Sequence, residues 1–115
     1  LTDTSTAATP VAPLPAVLGA LQDPVRLEMV RRLSNAGTAQ RCASLYDLIN
    51  KSTATHHFKI LREAGVTERL VIAGHTCQRL RREAVDEALP GLLASIIDAA
   101  NRAAAHPTPA GPCHR

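Results

Sequence analysis

Asn50-Lys51-Ser52-Thr53-Ala54-Thr55-His56-His57-Phe58-Lys59-Ile60-Leu61-Arg62-Glu63-Ala64-Gly65 is the stretch that decides the fold. At about 100° per residue, Ala54, His57, Phe58 and Leu61 fall on one side as an apolar stripe. Ser52, Thr55, His56 and Lys59 cluster opposite, with Arg62 at the margin. Asn50 is the expected N-cap and Gly65 the expected C′ residue, so the spacing predicts a helix over 51–64. Short hydroxyls and an imidazole flanked by cations suit a helix in the major groove of DNA. There, short polar groups reach base edges while Lys and Arg hold phosphates. An ordinary solvated helix face would carry similar residues, so the rest of the chain has to decide.

Upstream, Leu14, Val17, Leu18 and Leu21 mark a first helix ending near Gln22. Asp23-Pro24 is an N-cap followed by Pro at the first helical position. The helix it starts turns Val25, Leu27, Met29, Val30 and Leu33 inward and ends near Asn35-Ala36-Gly37. Leu45, Leu48 and Ile49 fit a short third helix over 44–49. Downstream, Val66 to Ile72 and Cys77 to Arg81 are strand-like runs around Ala73-Gly74-His75-Thr76, a hairpin. Two helical segments follow, over 83–89 and 90–105, with Leu89, Leu92, Leu93, Ile96, Ile97 and Ala100 on one broad apolar face. This order is that of a winged helix-turn-helix: mainly α, with a β-hairpin wing. Residues 1–12 are expected to form a disordered arm, 13–105 the DNA-binding and dimerisation domain, and 106–115 a flexible tail.

Composition is compatible with that reading. The chain has 115 residues, enough for one domain, and a net charge of +3. Its pI of about 9.1 is a mild basic bias that permits nucleic-acid binding. Of the 13 cations only Lys51 and Lys59 are lysines, and both lie in the reading helix. No run of 18 apolar residues could span a membrane, and the Thr/Ala/Pro-rich start lacks the basic and apolar regions of a secretory signal. Three cysteines without CxxC spacing argue against a disulfide framework, so a reducing cytoplasm is the expected compartment.

Two motifs make the resemblance specific. Gln22-Asp23-Pro24-Val25-Arg26-Leu27-Glu28-Met29-Val30-Arg31-Arg32-Leu33 resembles the ADPTRLRIL helix of the ArsR/SmtB family of transcriptional regulators. Ser52 to Val66 resembles that family's STVSHHLKVLREAGLV signature, and with the wing and last helix the similarity spans roughly 14–105. The resemblance implies a dimer through the first and last helices, reading a palindromic double-stranded DNA operator. It is also compatible with a regulatory partner protein. The residues expected to contact DNA are Thr53, Thr55, His56 and Lys59 in the major groove, Lys51 and Ser52 on phosphate, and His75 and Arg79 at the wing, where Arg69 and Arg81 add charge.

Many members of that family respond to metals. This chain lacks their Cys-x-Cys pair before the reading helix and the histidines of their last helix. Its own candidate ligands are Cys42, His75 and Cys77, with His106, Cys113 and His114 toward the end. On a strand His75 and Cys77 would share a face. Such N/S donors suit Ni(II) or another divalent transition metal, and the Thr/Ala/Pro start and short third helix are similar to the nickel-responsive type of the family. Two alternatives stay open: an ArsR-like regulator that senses no metal, and a winged helix used as a protein-interaction module. An enzyme is not expected, because the sequence has no nucleophile elbow, Gly-rich phosphate loop or HExxH.

Overall fold

The start signal at Asp23-Pro24 is realised in atomic detail. Asp23 Oδ1 accepts from the amides of Val25 at 2.8 Å and Arg26 at 3.2 Å. Burial opposes its charge, yet these two amides, together with nearby positive charge, hold the carboxyl below its ordinary range. The computed structural model describes residues 9–105. Its elements are α1 (Leu14–Leu21), α2 (Pro24–Ala36), β1 (Gln40–Arg41), a 3₁₀ turn (Cys42–Leu45), α3 (Lys51–Glu63), β2 (Thr67–Ile72), β3 (His75–Leu80), α4 (Arg82–Ala88) and α5 (Leu92–Ala105). The strands form one antiparallel sheet in the order β1-β3-β2.

The core lies where the apolar stripes converge. Val17, Ala20 and Leu21 from α1, Met29, Val30 and Leu33 from α2, and Ala54, Phe58 and Leu61 from α3 are buried together with Val85, Leu93 and Ile97. Each large side chain removed from water contributes about 1.5–3 kcal/mol. Phe58 also meets Tyr46 edge-to-face, with centroids 6.2 Å apart. The exit of α3 is a Schellman turn: Gly65 N–H donates to the Arg62 carbonyl at 2.9 Å and Val66 N–H to the Leu61 carbonyl at 3.1 Å, with Gly65 at φ +79°.

Three expectations need correction. The short helix over 44–49 is absent: only the 3₁₀ turn at 42–45 forms, and Leu48, expected inward, is fully exposed at φ +61°. The chain leaves the 3₁₀ turn in extended backbone at Tyr46 and turns left-handed at Leu48, so no α-helical ladder continues toward the N-cap Asn50. The strand β1 was not anticipated; it pairs Gln40 with Gln78 and Arg41 with Cys77. The hairpin is also tighter than expected. Only Ala73 and Gly74 make the turn, both at positive φ, the type I′ pattern, and His75 and Thr76 belong to β3.

Residues 9–12, assigned above to the N-terminal arm, cross the end of α3 as a strap, with Ala12 N–H donating to the Ala64 carbonyl at 2.9 Å. Residues 1–8 and the expected tail, 106–115, lie outside the described residues. Among the described residues no helix is long and apolar enough to cross a membrane.

Candidate nucleic-acid interface

Asn50 accepts the Thr53 amide at 2.8 Å and starts α3 with its N-terminus in solvent. Burial of Ala54, Phe58 and Leu61 then forces the opposite side outward. Lys51, Ser52, Thr53, Thr55, His56 and Lys59 are all exposed, on one helix. Thr55 Oγ1 donates back to the Lys51 carbonyl at 2.8 Å, so its oxygen and methyl, but not its proton, are free for a base edge. Lys59 comes within only 4.0 Å of Glu63, both well exposed, a pair too weak and screened to hold it from a phosphate.

His57 behaves differently from its neighbour. It was read with the apolar stripe; it is half-buried, and its Nδ1 lies 3.1 Å from Arg26 Nη1. His56 remains in solvent, the two rings tilted apart with centroids 6.1 Å from each other.

Between the first turns of α3 and the wing lies a cleft of about 560 Å³. Its rim carries Lys51 from α3, Arg41 from β1, and Arg69 and His75 from the wing, and no carboxylate lines it. Lys51 and Arg69 have no carboxylate partner among the described residues. Arg41 Nη2 lies 2.5 Å from His75 Nε2, so the two form one unit at the wing edge. Such a concave, positive surface beside a polar helix face matches a phosphate backbone flanking an open groove. Sequence reasoning missed Arg41, because only the pairing of β1 with β3 brings it to the cleft.

The other wing cations have partners. Arg79 is held across the hairpin by Glu68, Nη2 to Oε2 at 2.6 Å, so it meets DNA only if that pair opens. Arg81 is turned inward, donating to the Gly65 carbonyl at 2.9 Å.

The metal candidates are scattered. Cys77 is buried and its thiol donates to the His75 carbonyl at 3.6 Å, while the His75 ring faces Arg41. Cys42 is half-buried and accepts from the Gln78 amide at 3.7 Å. Among the described residues no three His, Cys, Asp or Glu side chains gather as a metal site would require. His106, Cys113 and His114 lie outside those residues.

Comparison with known proteins bears on the fold and the family. The helix-turn-helix domain family matches residues 21–69, from the end of α1 into β2. The uncharacterized HTH-type transcriptional regulator YceK of Bacillus subtilis (strain 168) is 34% identical over 82 residues, 70% of this chain and 82% of that protein. The fold is similar to that of an ArsR-like transcriptional regulator from Rhodococcus sp. RHA1, with a TM-score of 0.58 at 21% identity, covering 80% of this chain and 87% of that one.

Proposed function

Since this chain belongs to the helix-turn-helix transcriptional regulators, a DNA-binding class and not an enzyme class, and has the winged fold of ArsR-like members, we propose that it reads a palindromic operator as a homodimer. In this reading α3 lies in the major groove, with Thr53, Thr55, His56 and Lys59 toward base edges. Lys51 and Ser52 take phosphate at the helix N-terminus, where the exposed amides and the helix dipole favour an anion. Arg41, His75 and Arg69 hold the backbone on the wing side. The observation that carries this is the acid-free cleft between α3 and the wing.

The test is binding to a duplex selected from a random-sequence pool, followed as a function of salt. Contact with six or more phosphates lowers affinity roughly 10³-fold between 50 and 200 mM salt. Lys51→Ala and Arg41→Ala should each weaken binding and reduce the salt slope by about one. An unchanged slope removes that residue from the contacts. Salt-independent affinity for the duplex, or none, would favour a protein-interaction module instead.

Two outer faces support the dimer. Leu14 and Leu18 are each 43% exposed on α1, and Leu92 and Ile96 are only half-buried on α5. Control by Ni(II) or another divalent metal rests on the N/S donors of the sequence, and with no gathered site among the described residues its main donors would be His106, Cys113 and His114. Isothermal titration with Ni(II), Zn(II) and Co(II), on the full chain and on one ending at Ala105, separates a tail site from a body site. Absence of binding in both would leave a regulator with a non-metal signal. Reading DNA would place its work in the cytoplasm.

A further inference from the structure

Helix α1 is fastened to the reading helix beyond both of its ends. At the C-terminal end the guanidinium of Arg26, on α2, donates from Nε to the Ala20 carbonyl at 2.6 Å and from Nη2 to the Gly19 carbonyl at 3.3 Å. Its third nitrogen, Nη1, donates to His57 Nδ1 of α3 at 3.1 Å. Arginine keeps its protons, so Nδ1 must be the acceptor and the ring proton sits on Nε2. At the other end the strap leading into α1 lies across the Schellman turn of α3. Ala12 N–H donates to the Ala64 carbonyl, and Arg81 Nη1 donates to the carbonyls of both Gly65 and Thr9. The two backbones touch so closely that a Cβ on Gly65 would sit 2.5 Å from the Pro10 oxygen.

Satisfying the free carbonyls at the end of α1 would explain two of the Arg26 bonds. It does not explain why the same guanidinium also reaches the inward histidine of α3, nor why a second arginine clamps the strap to that helix. We propose that Arg26, acting through His57, is a positioning residue for DNA reading: together with the strap clamped by Arg81 it makes α1 and α3 one rigid unit, so that whatever displaces α1 displaces the reading helix. This rests on α3 being the helix that reads DNA. A ligand or partner copy seated on α1 then changes operator affinity without touching the DNA-binding face.

The experiment compares the full chain with Arg26→Lys, His57→Leu and His57→Gln, by amide hydrogen exchange and by binding to the selected duplex and to an unselected random one. Lys keeps the charge but cannot span two carbonyls and a ring, and Leu removes the acceptor. Both variants should lose about tenfold in affinity for the selected duplex, and their α3 amides should exchange about tenfold faster, as loss of a charged hydrogen bond predicts. Exchange in α5 and affinity for the random duplex should stay at wild-type values. Gln, whose side-chain oxygen can accept from Nη1, should retain wild-type behaviour. Equal losses on both duplexes would make Arg26 a phosphate contact and overturn the proposal, as would unchanged α3 exchange in both loosening variants. A wild-type chain that selects no duplex would show that the DNA reading itself had failed.

Discussion

Gly37 and Gly65 close α2 and α3 with similar left-handed backbone, φ +74° and +79°, yet their surroundings differ. A Cβ on Gly37 would meet nothing within 4 Å, whereas one on Gly65 would collide with Pro10 O at 2.5 Å and Val11 Cα at 2.7 Å. Gly37→Ala is therefore expected to cost only the left-handed penalty, about 1–2 kcal/mol. Gly65→Ala adds a backbone collision that only movement of the strap relieves, about 1–3 kcal/mol more by analogy with overpacking. Urea midpoints at unchanged m-value would measure the difference. Equal losses would show that the strap yields freely and does not brace α3. At this scale much was legible in the sequence. Asp23, Asn50 and Gly65 each carry chemistry that only one backbone context uses well, and each occupies that context. Leu48 was not legible, because nothing in a leucine announces a positive φ or full exposure.

Among the elements, those with a long period were readable and those held by partners were not. The stripes of α2 and α3 repeat often enough to name their buried faces, while a two-residue strand such as β1 has no period at all. Arg41 was missed with it, and so was one side of the cleft. The irregular stretch 46–50 depends likewise on a distant partner. Arg32 bridges from Glu28 to Asp47 and fixes this stretch against α2, while Arg31 also pairs with Glu28, at 2.7 Å. The Arg31 bond, against the opposing effect of burial and with help from Arg32, holds the Glu28 carboxyl at about 2 instead of 4.5. A carboxyl depressed on folding contributes stability that is complete above its unfolded value and disappears as pH falls through its folded value. The thermal midpoint should thus fall as pH is lowered from 4.5 toward 2, and Glu28→Gln should flatten that part of the profile. Because the side chain is 37% exposed, solvent screening keeps the effect modest. An identical slope in wild type and Glu28→Gln would assign the acid sensitivity to other carboxylates.

For the whole molecule the issue is what covers the outer sides of α1 and α5. Both helices pack on α2, and α5 is fixed there by reciprocal amide bonds between Asn35 and Asn101, at 2.9 and 3.0 Å. Their inner residues, Val17, Leu21, Leu93 and Ile97, are already in the core, while among the described residues Leu14 and Leu18 stay exposed and Leu92 and Ile96, packed against the core on one side, are only half-buried. A second copy related by a two-fold axis would cover them and set two α3 helices for one palindrome. Leu18→Glu tests this, because a carboxylate on each copy of such an interface meets apolar surface and its own symmetry mate. Sedimentation should show a wild-type dimer and a Leu18→Glu monomer, with the helical circular dichroism of each chain retained. Affinity for a palindromic duplex should fall by about 100-fold or more, since two linked half-site contacts become one. Binding to a single half-site should change little. A Leu18→Glu protein that still sediments as a dimer would move the interface off α1. The mechanical link from α1 to α3 would then need a different input, because dimerisation would no longer act on the helix that Arg26 and the strap tie to the reading face.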